Sequence, residues 1–147
     1  MLDIKATVTE IIEKHATSDP IKIAEQCGIL LSYEALGNIL GYFSSYKRVK
    51  FIHINNKLNE HSQRFVCAHE LGHALLHPKA NTSFLKQKTL FSVDRVEVEA
   101  NAFAVELLLS DEKLQEYSNS NLSIFQIGEI YGIPRELVAL KTVSQKG

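Results

Sequence analysis

The chain has 147 residues, 45% hydrophobic and 22% charged, the size and balance of one globular domain that buries its core without staples. A formal charge of -1 excludes a global electrostatic pull toward nucleic acid or anionic lipid. No run approaches the roughly 20 apolar residues of a membrane span. The first residues are soon broken by Glu10, Glu13 and Lys14, unlike a secretory signal. Cys27 and Cys67 form no C-x-x-C pair and read as two buried thiols of a cytoplasmic protein, not as a disulfide.

Ile4, Val8, Ile11 and Ile12 fall on one stripe at helical spacing, which predicts an amphipathic helix over 4–15. Asp19 before Pro20 reads as an N-cap and first-turn proline opening a short helix through Gln26, which Gly28 ends. Two strands are expected over 29–33 and 39–46, separated by a turn near Gly37-Asn38, and a third over 49–54. In the third, Val49, Phe51, His53 and Asn55 share one face, and Lys50, Ile52 and Ile54 the other.

From Glu60 the spacing becomes helical. Phe65, Ala68, Leu71, Leu75 and Leu76 form a broad apolar face, and Pro78 closes the helix just after His77. Residues 78–92 read as an irregular loop. A second long helix, rich in alanine and apolar residues, follows over 93–109 and suits a buried position. Ser110-Asp111 starts the tail, whose two short helices divide near Gly132-Ile133-Pro134. The expected organisation is a single domain over 1–147: N-terminal helices at 1–27, a small sheet at 28–56, site-bearing helices at 60–109 and C-terminal helices at 110–147.

The chemistry concentrates in His69-Glu70-Leu71-Gly72-His73. Residues four apart on a helix share a face, so His69 and His73 can offer two imidazole nitrogens to one metal. Glu70 lies beside them, placed to act on water as a general base. This is the mechanical content of H-E-x-x-H. The pentapeptide alone also occurs by chance in helices with two partly exposed histidines. Gly72, which costs a helix about 1 kcal/mol relative to alanine, lets another backbone or a substrate come close between the two histidines.

On the second helix Glu97, Ala100, Asn101 and Ala104 make one narrow face. A carboxylate at Glu97 completes a His2Glu set of the kind that holds catalytic zinc with one position open. Asn101, one turn on, is placed to accept from the second N–H of a ligand histidine. Two competitors for the third ligand are less favourable. His77 lies roughly 12 Å along the axis from His69, too far to share a metal held about 2 Å from each imidazole, and is assigned to the helix end or to outer support of the site. Glu99 sits about 200° around the helix from Glu97, and reads as a solvated or salt-bridged carboxylate. Of the remaining histidines, His15 reads as a surface residue. His53, on the strand ahead of the metal helix, reads as structural although it could line the cleft.

Phe51-Ile-His-Ile-Asn-Asn, then Arg64-Phe-Val-Cys-Ala-His-Glu-Leu-Gly-His-Ala-Leu-Leu-His77, and Val96-Glu-Val-Glu-Ala-Asn-Ala-Phe-Ala-Val-Glu-Leu-Leu-Leu109 resemble the ImmA/IrrE family of metallopeptidases. The likeness runs from about residue 20 to about residue 115. It implies an α+β zincin-like fold, with a small β-sheet packed on the H-E-x-x-H helix and additional C-terminal helices. In the family the first glutamate of E-x-x-A-N-x-F-A is the third ligand, which maps onto Glu97, Ala100, Asn101, Phe103 and Ala104. Members are bacterial or carried by phages and mobile elements. They act as anti-repressors, cleaving or otherwise inactivating helix-turn-helix transcriptional repressors. Family members often have a proline after the Leu-Leu-Leu run, where this chain has Ser110-Asp111.

The expectation is therefore a gluzincin-like zinc peptidase: His69, His73 and Glu97 as ligands, Glu70 as general base, Asn101 and His77 in outer support, and a repressor as substrate or target. The strand at 49–54 is expected to be an edge that accepts an extended substrate. Tyr42, Tyr46, His61 and Tyr131 are the candidates for oxyanion stabilisation. The rival is a binding module with structural zinc that sequesters its partner. Residues 122–140 faintly echo half of a helix-turn-helix, but without a basic stripe no direct nucleic-acid binding is expected.

Overall fold

The computed structural model describes residues 2–141. Asp3 caps α1 (Ile4–His15) by accepting from the backbone N–H of Ala6, and the Ile4, Val8, Ile11, Ile12 stripe packs into the core beside α4. Asp19 accepts from the N–H of Ile21 and Pro20 takes the first turn of α2 (Pro20–Gln26).

Four strands form one sheet in the order β1-β3-β2-β4: β1 (Leu30–Glu34), β2 (Ile39–Tyr46), β3 (Val49–Asn55) and β4 (Leu85–Lys86). A hairpin pairs β2 with β3 antiparallel, through Tyr42↔His53 and Tyr46↔Val49, while β1 pairs with β3 parallel, through Leu31↔Ile52. The loop at Lys47-Arg48 has φ of 49° and 69°, the positive values of a type I′ turn, at residues that pay a steric penalty there. The third strand, expected at an edge, lies instead between β1 and β2, because Ile52 and Ile54 are fully buried and a strand with such a face gains most in the middle. Residues 78–92, expected to be irregular, contain β4 and a 3-10 turn at Gln87–Thr89. Leu85 there is buried and pairs with Gly41 on the outer edge of β2.

The inner face of the sheet covers α3 (Glu60–Leu76), capped by Asn59, whose side chain accepts from the N–H of Ser62. Close approach needs Gly41: a Cβ there would stand 2.6 Å from the His53 carbonyl oxygen and collide with Val66 of α3. The other side of α3 packs on α4 (Arg95–Leu108). At Gly72 an added Cβ would meet Phe103 of α4 at 3.1 Å, so the close neighbour at that glycine is this aromatic side chain and not the backbone or substrate expected there. With sheet on one side and helix on the other, α3 is buried at every position from Phe65 to Ala74. It is thus buried all round along that stretch, not amphipathic as its apolar pattern implies, and its histidines and Glu70 lie inside the protein.

The tail adds α5 (Asp111–Gln115), opened by Ser110 accepting from Lys113 N–H, α6 (Ile124–Ile130), and a 3-10 segment at Arg135–Leu140. Lys141 is buried and donates to Glu106 at 3.0 Å and to Asp111 at 2.9 Å, tying the end of the described chain to α4 and α5. Residues 142–147 of the anticipated C-terminal helices lie outside the described residues. Of the two cysteines only Cys67 is buried; Cys27 is exposed, at the end of α2 where the helix runs out into solvent. No helix among the described residues is long and apolar enough to cross a membrane.

Candidate metal centre

Two faces of adjacent helices bring three side chains together. From α3, His69 and His73 turn their Nε2 atoms to one point. From α4, Glu97 reaches the same point, with Oε1 at 3.1 Å from His69 Nε2 and Oε2 at 3.2 Å from His73 Nε2. These potential ligand atoms lie within 4.8 Å of one another, and all three residues are buried. A tetrahedral ion about 2.0–2.1 Å from each nitrogen and oxygen sets neighbouring ligand atoms about 3.3 Å apart. The two histidine–carboxylate separations are close to that requirement.

The proton positions strengthen the fit. Asn101 donates through Nδ2 to the Leu90 carbonyl at 2.9 Å, so its Oδ1, 2.8 Å from His69 Nδ1, must accept. His69 is thereby held with its proton on Nδ1. A neutral His69 then turns a lone pair toward the Glu97 carboxylate, an unfavourable facing of two acceptors unless a proton or metal cation lies between them. Where no metal is bound, a proton on either imidazole Nε2 takes that place: burial raises the Glu97 carboxyl, but such contacts from His69 and His73 outweigh it and hold the group at about 2. Glu97 is thus an anion in a buried setting, as a metal ligand requires.

Glu70 occupies the turn between the two histidines and is 0% exposed. Neither carboxylate oxygen has a hydrogen-bond partner among the described residues. Burial pushes its pKa up to about 8, with His73 pulling down and Glu97 pushing up. A buried carboxyl without partners costs stability, and this one lies beside the candidate ligand group.

His77 lies outside the ligand group, as its axial distance requires. It caps α3 and its Nδ1 is 3.1 Å from His73 Nδ1. Glu99 is not left to solvent: it lies 2.9 Å from His77 Nε2 and 3.8 Å from Arg95. Two parts of this surround go beyond the sequence expectation. The Leu90 carbonyl carries no sequence signal because any residue supplies one, whereas Glu99 does, in the paired spacing His73/His77.

The oxyanion candidates are scattered. Tyr42 stacks on His53 at 4.1 Å on the outer face of the sheet, Tyr46 is exposed at the hairpin tip, and Tyr131 meets Tyr117 at 3.0 Å. His61 stands at the first turn of α3 with its carbonyl against Gly132. His53 does not line the metal centre; it bonds Glu34 and Ser44 on the face away from Ile52 and Ile54. Hydrogen bonds from His53 and Ser32 hold the Glu34 carboxyl below its usual range.

A buried His-His-Glu group and a bare glutamate, on two helices under a small mixed sheet, define a domain of the metallopeptidase class. Comparison with known proteins agrees. The family model described as the IrrE N-terminal-like domain matches residues 24–142. The "Uncharacterized immunity region protein 2" of Bacillus phage phi105 is 47% identical over 143 residues, covering 97% of this chain and 90% of the relative. The "Metallopeptidase ImmA" of Bacillus subtilis (strain 168) is 36% identical over 115 residues, covering 77% and 67% respectively. The chain belongs to the ImmA/IrrE family of metallopeptidases.

Proposed function

We propose that this protein is a zinc-dependent endopeptidase that cleaves a helix-turn-helix transcriptional repressor and so derepresses phage, mobile-element or stress genes. The observation that carries the reading is the coincidence of an anionic His69-His73-Glu97 group with an unpartnered Glu70 at one buried point. His2Glu ligation suits zinc. When bound, zinc supplies Lewis acidity toward water and a peptide carbonyl.

The remaining work falls to the chain itself. His69, His73 and Glu97 hold the ion, and Asn101 keeps the His69 Nε2 lone pair aimed inward. Glu70 accepts the proton of the attacking water on a carboxylate oxygen and passes it to the leaving amine. A cation among the three ligands favours the ionised form of Glu70, which makes it a base at neutral pH. A cavity of about 400 Å³, lined by Leu40, Phe65, Leu90 and Ile133 among others, is walled by the Phe65 ring, whose centroid lies 6.5 Å from that of His69, and suits an apolar substrate side chain. Support for a repressor target comes from the immunity-region name of the phage relative.

The burial of Glu70, His69 and His73 favours a second reading, a non-cleaving zinc protein that sequesters the repressor. One experiment separates them. The zinc-loaded protein is incubated with a candidate helix-turn-helix repressor, and fragments are sought by mass spectrometry. Fragments that a chelator suppresses and that Glu70→Gln abolishes establish cleavage. A stable complex with intact repressor establishes sequestration.

A further inference from the structure

We infer that Glu99 is a positioning residue for the metal centre, acting on His73 through the imidazole of His77. The inference rests on the reading of His69, His73 and Glu97 as metal ligands and adds a residue outside that set.

The contacts run in one line. Glu99 Oε1 lies 2.9 Å from His77 Nε2, and His77 Nδ1 lies 3.1 Å from His73 Nδ1. A carboxylate only accepts hydrogen bonds, so His77 donates from Nε2 to Glu99. The neutral His77 ring then carries its lone pair on Nδ1, where it accepts the Nδ1–H of His73. That leaves the His73 Nε2 lone pair facing the ligand point. One carboxylate therefore sets the tautomer of two successive imidazoles, and the side chains of His77 and Glu99 are only 7% and 16% exposed, which limits competition from water. Arg95, 3.8 Å from Glu99 and 79% exposed, orients the same carboxylate from its solvent side.

The two ligand histidines are thus held by unlike means. His69 leans on a neutral amide that is itself fixed by a backbone carbonyl. His73 leans on a chain that ends in an anion, and an anionic outer partner makes the ligating nitrogen more basic. On this geometry Glu99 acts only through His77, which makes the inference separable from a simple role in pinning the end of α3.

The test is a double-mutant cycle read by zinc affinity, measured by competition with a chromophoric chelator on Glu99→Ala, His77→Ala and the double variant. Loss of an outer partner of a ligand histidine weakens metal binding about 10- to 100-fold. Glu99→Ala is expected to weaken zinc binding within that range in the wild-type background and by less than twofold in the His77→Ala background. Glu99→Gln, which keeps an acceptor oxygen, is expected to recover part of the loss. Melting of the metal-free proteins, followed in parallel, reports the structural contribution of each residue. Equal losses from Glu99→Ala in both backgrounds, or unchanged affinity in the first, would overturn the relay while leaving the ligand set standing. Failure of the wild-type protein to bind one zinc ion, or retention of binding in His73→Ala, would overturn the ligand set and the relay together.

Discussion

Asn101 Oδ1 lies 2.8 Å from His69 Nδ1, and the same amide is held from behind by the Leu90 carbonyl. A residue of α4 therefore fixes which nitrogen of an α3 histidine is free, and the loop before α4 fixes that residue. Asn101→Ala removes the acceptor and leaves a buried Leu90 carbonyl without its donor. Zinc affinity is expected to fall about 10- to 100-fold, with a stability loss of about 1–3 kcal/mol from the unsatisfied groups. Asn101→Asp keeps the acceptor but loses the donation to Leu90, so it is expected to retain more affinity than stability. Chelator competition and chemical denaturation measure the two quantities separately.

Glu70→Gln carries a double expectation. Cleavage is lost because an amide does not take a proton from water at neutral pH, while zinc content stays at one ion per chain. The metal-free variant is at the same time more stable than the metal-free wild type. The sign follows from a folded pKa of about 8 against the ordinary 4.5 of a solvated glutamate. Between these values the folded state retains a proton that the unfolded state releases. The associated stability is complete below pH 4.5 and is lost as pH rises through 8. The cost is a few kcal/mol at most, since displacing a pKa by one costs about 1.4 kcal/mol. Urea denaturation of the metal-free proteins at about pH 5, 7 and 9 checks it: wild type weakens with rising pH more than Glu70→Gln does. Parallel pH dependences in the two proteins would contradict the assignment.

The legible parts of the molecule are those with a local chemical reason. Asp19-Pro20 marks the start of α2 because a cap and a proline each have one physical use there. The spacing of Glu97 and Asn101 anticipates a face that the structure turns toward His69. What escapes is set by long-range partners. Nothing local in residues 49–54 says that β1 returns to flank β3 in parallel, and two residues of β4 are too few to show a period of two. The full burial of α3 also hides in its sequence, because polar side chains at His69, Glu70 and His73 mimic an exposed face.

The β2–β3 hairpin illustrates the same limit and yields a stability prediction. Lys47 and Arg48 both adopt positive φ, which Asn and Gly tolerate better. The sequence therefore carries no turn signal where the strands Tyr46↔Val49 demand one. Lys47→Asn with Arg48→Gly is expected to raise stability by about 1–2 kcal/mol, without altering zinc affinity. Thermal melting with and without metal reads both effects.

Access to the buried centre leads to the last prediction. β3 has both edges paired, and the outer edge of β2 is taken at Ile39 and Gly41 by Lys86 and Leu85. An extended substrate that pairs with β2 at Ile39–Gly41 must therefore displace β4, a strand of two residues with an irregular register and so little pairing to lose. Linking the pair prevents this. Ile39→Cys with Lys86→Cys joins two residues already opposite each other, in a Cys27→Ser background because Cys27 is exposed. The oxidised protein is expected to retain zinc and to lose at least tenfold in cleavage rate, and reduction is expected to restore it. Full activity with the disulfide formed, verified by mass spectrometry, would show that substrate reaches Glu70 without moving β4.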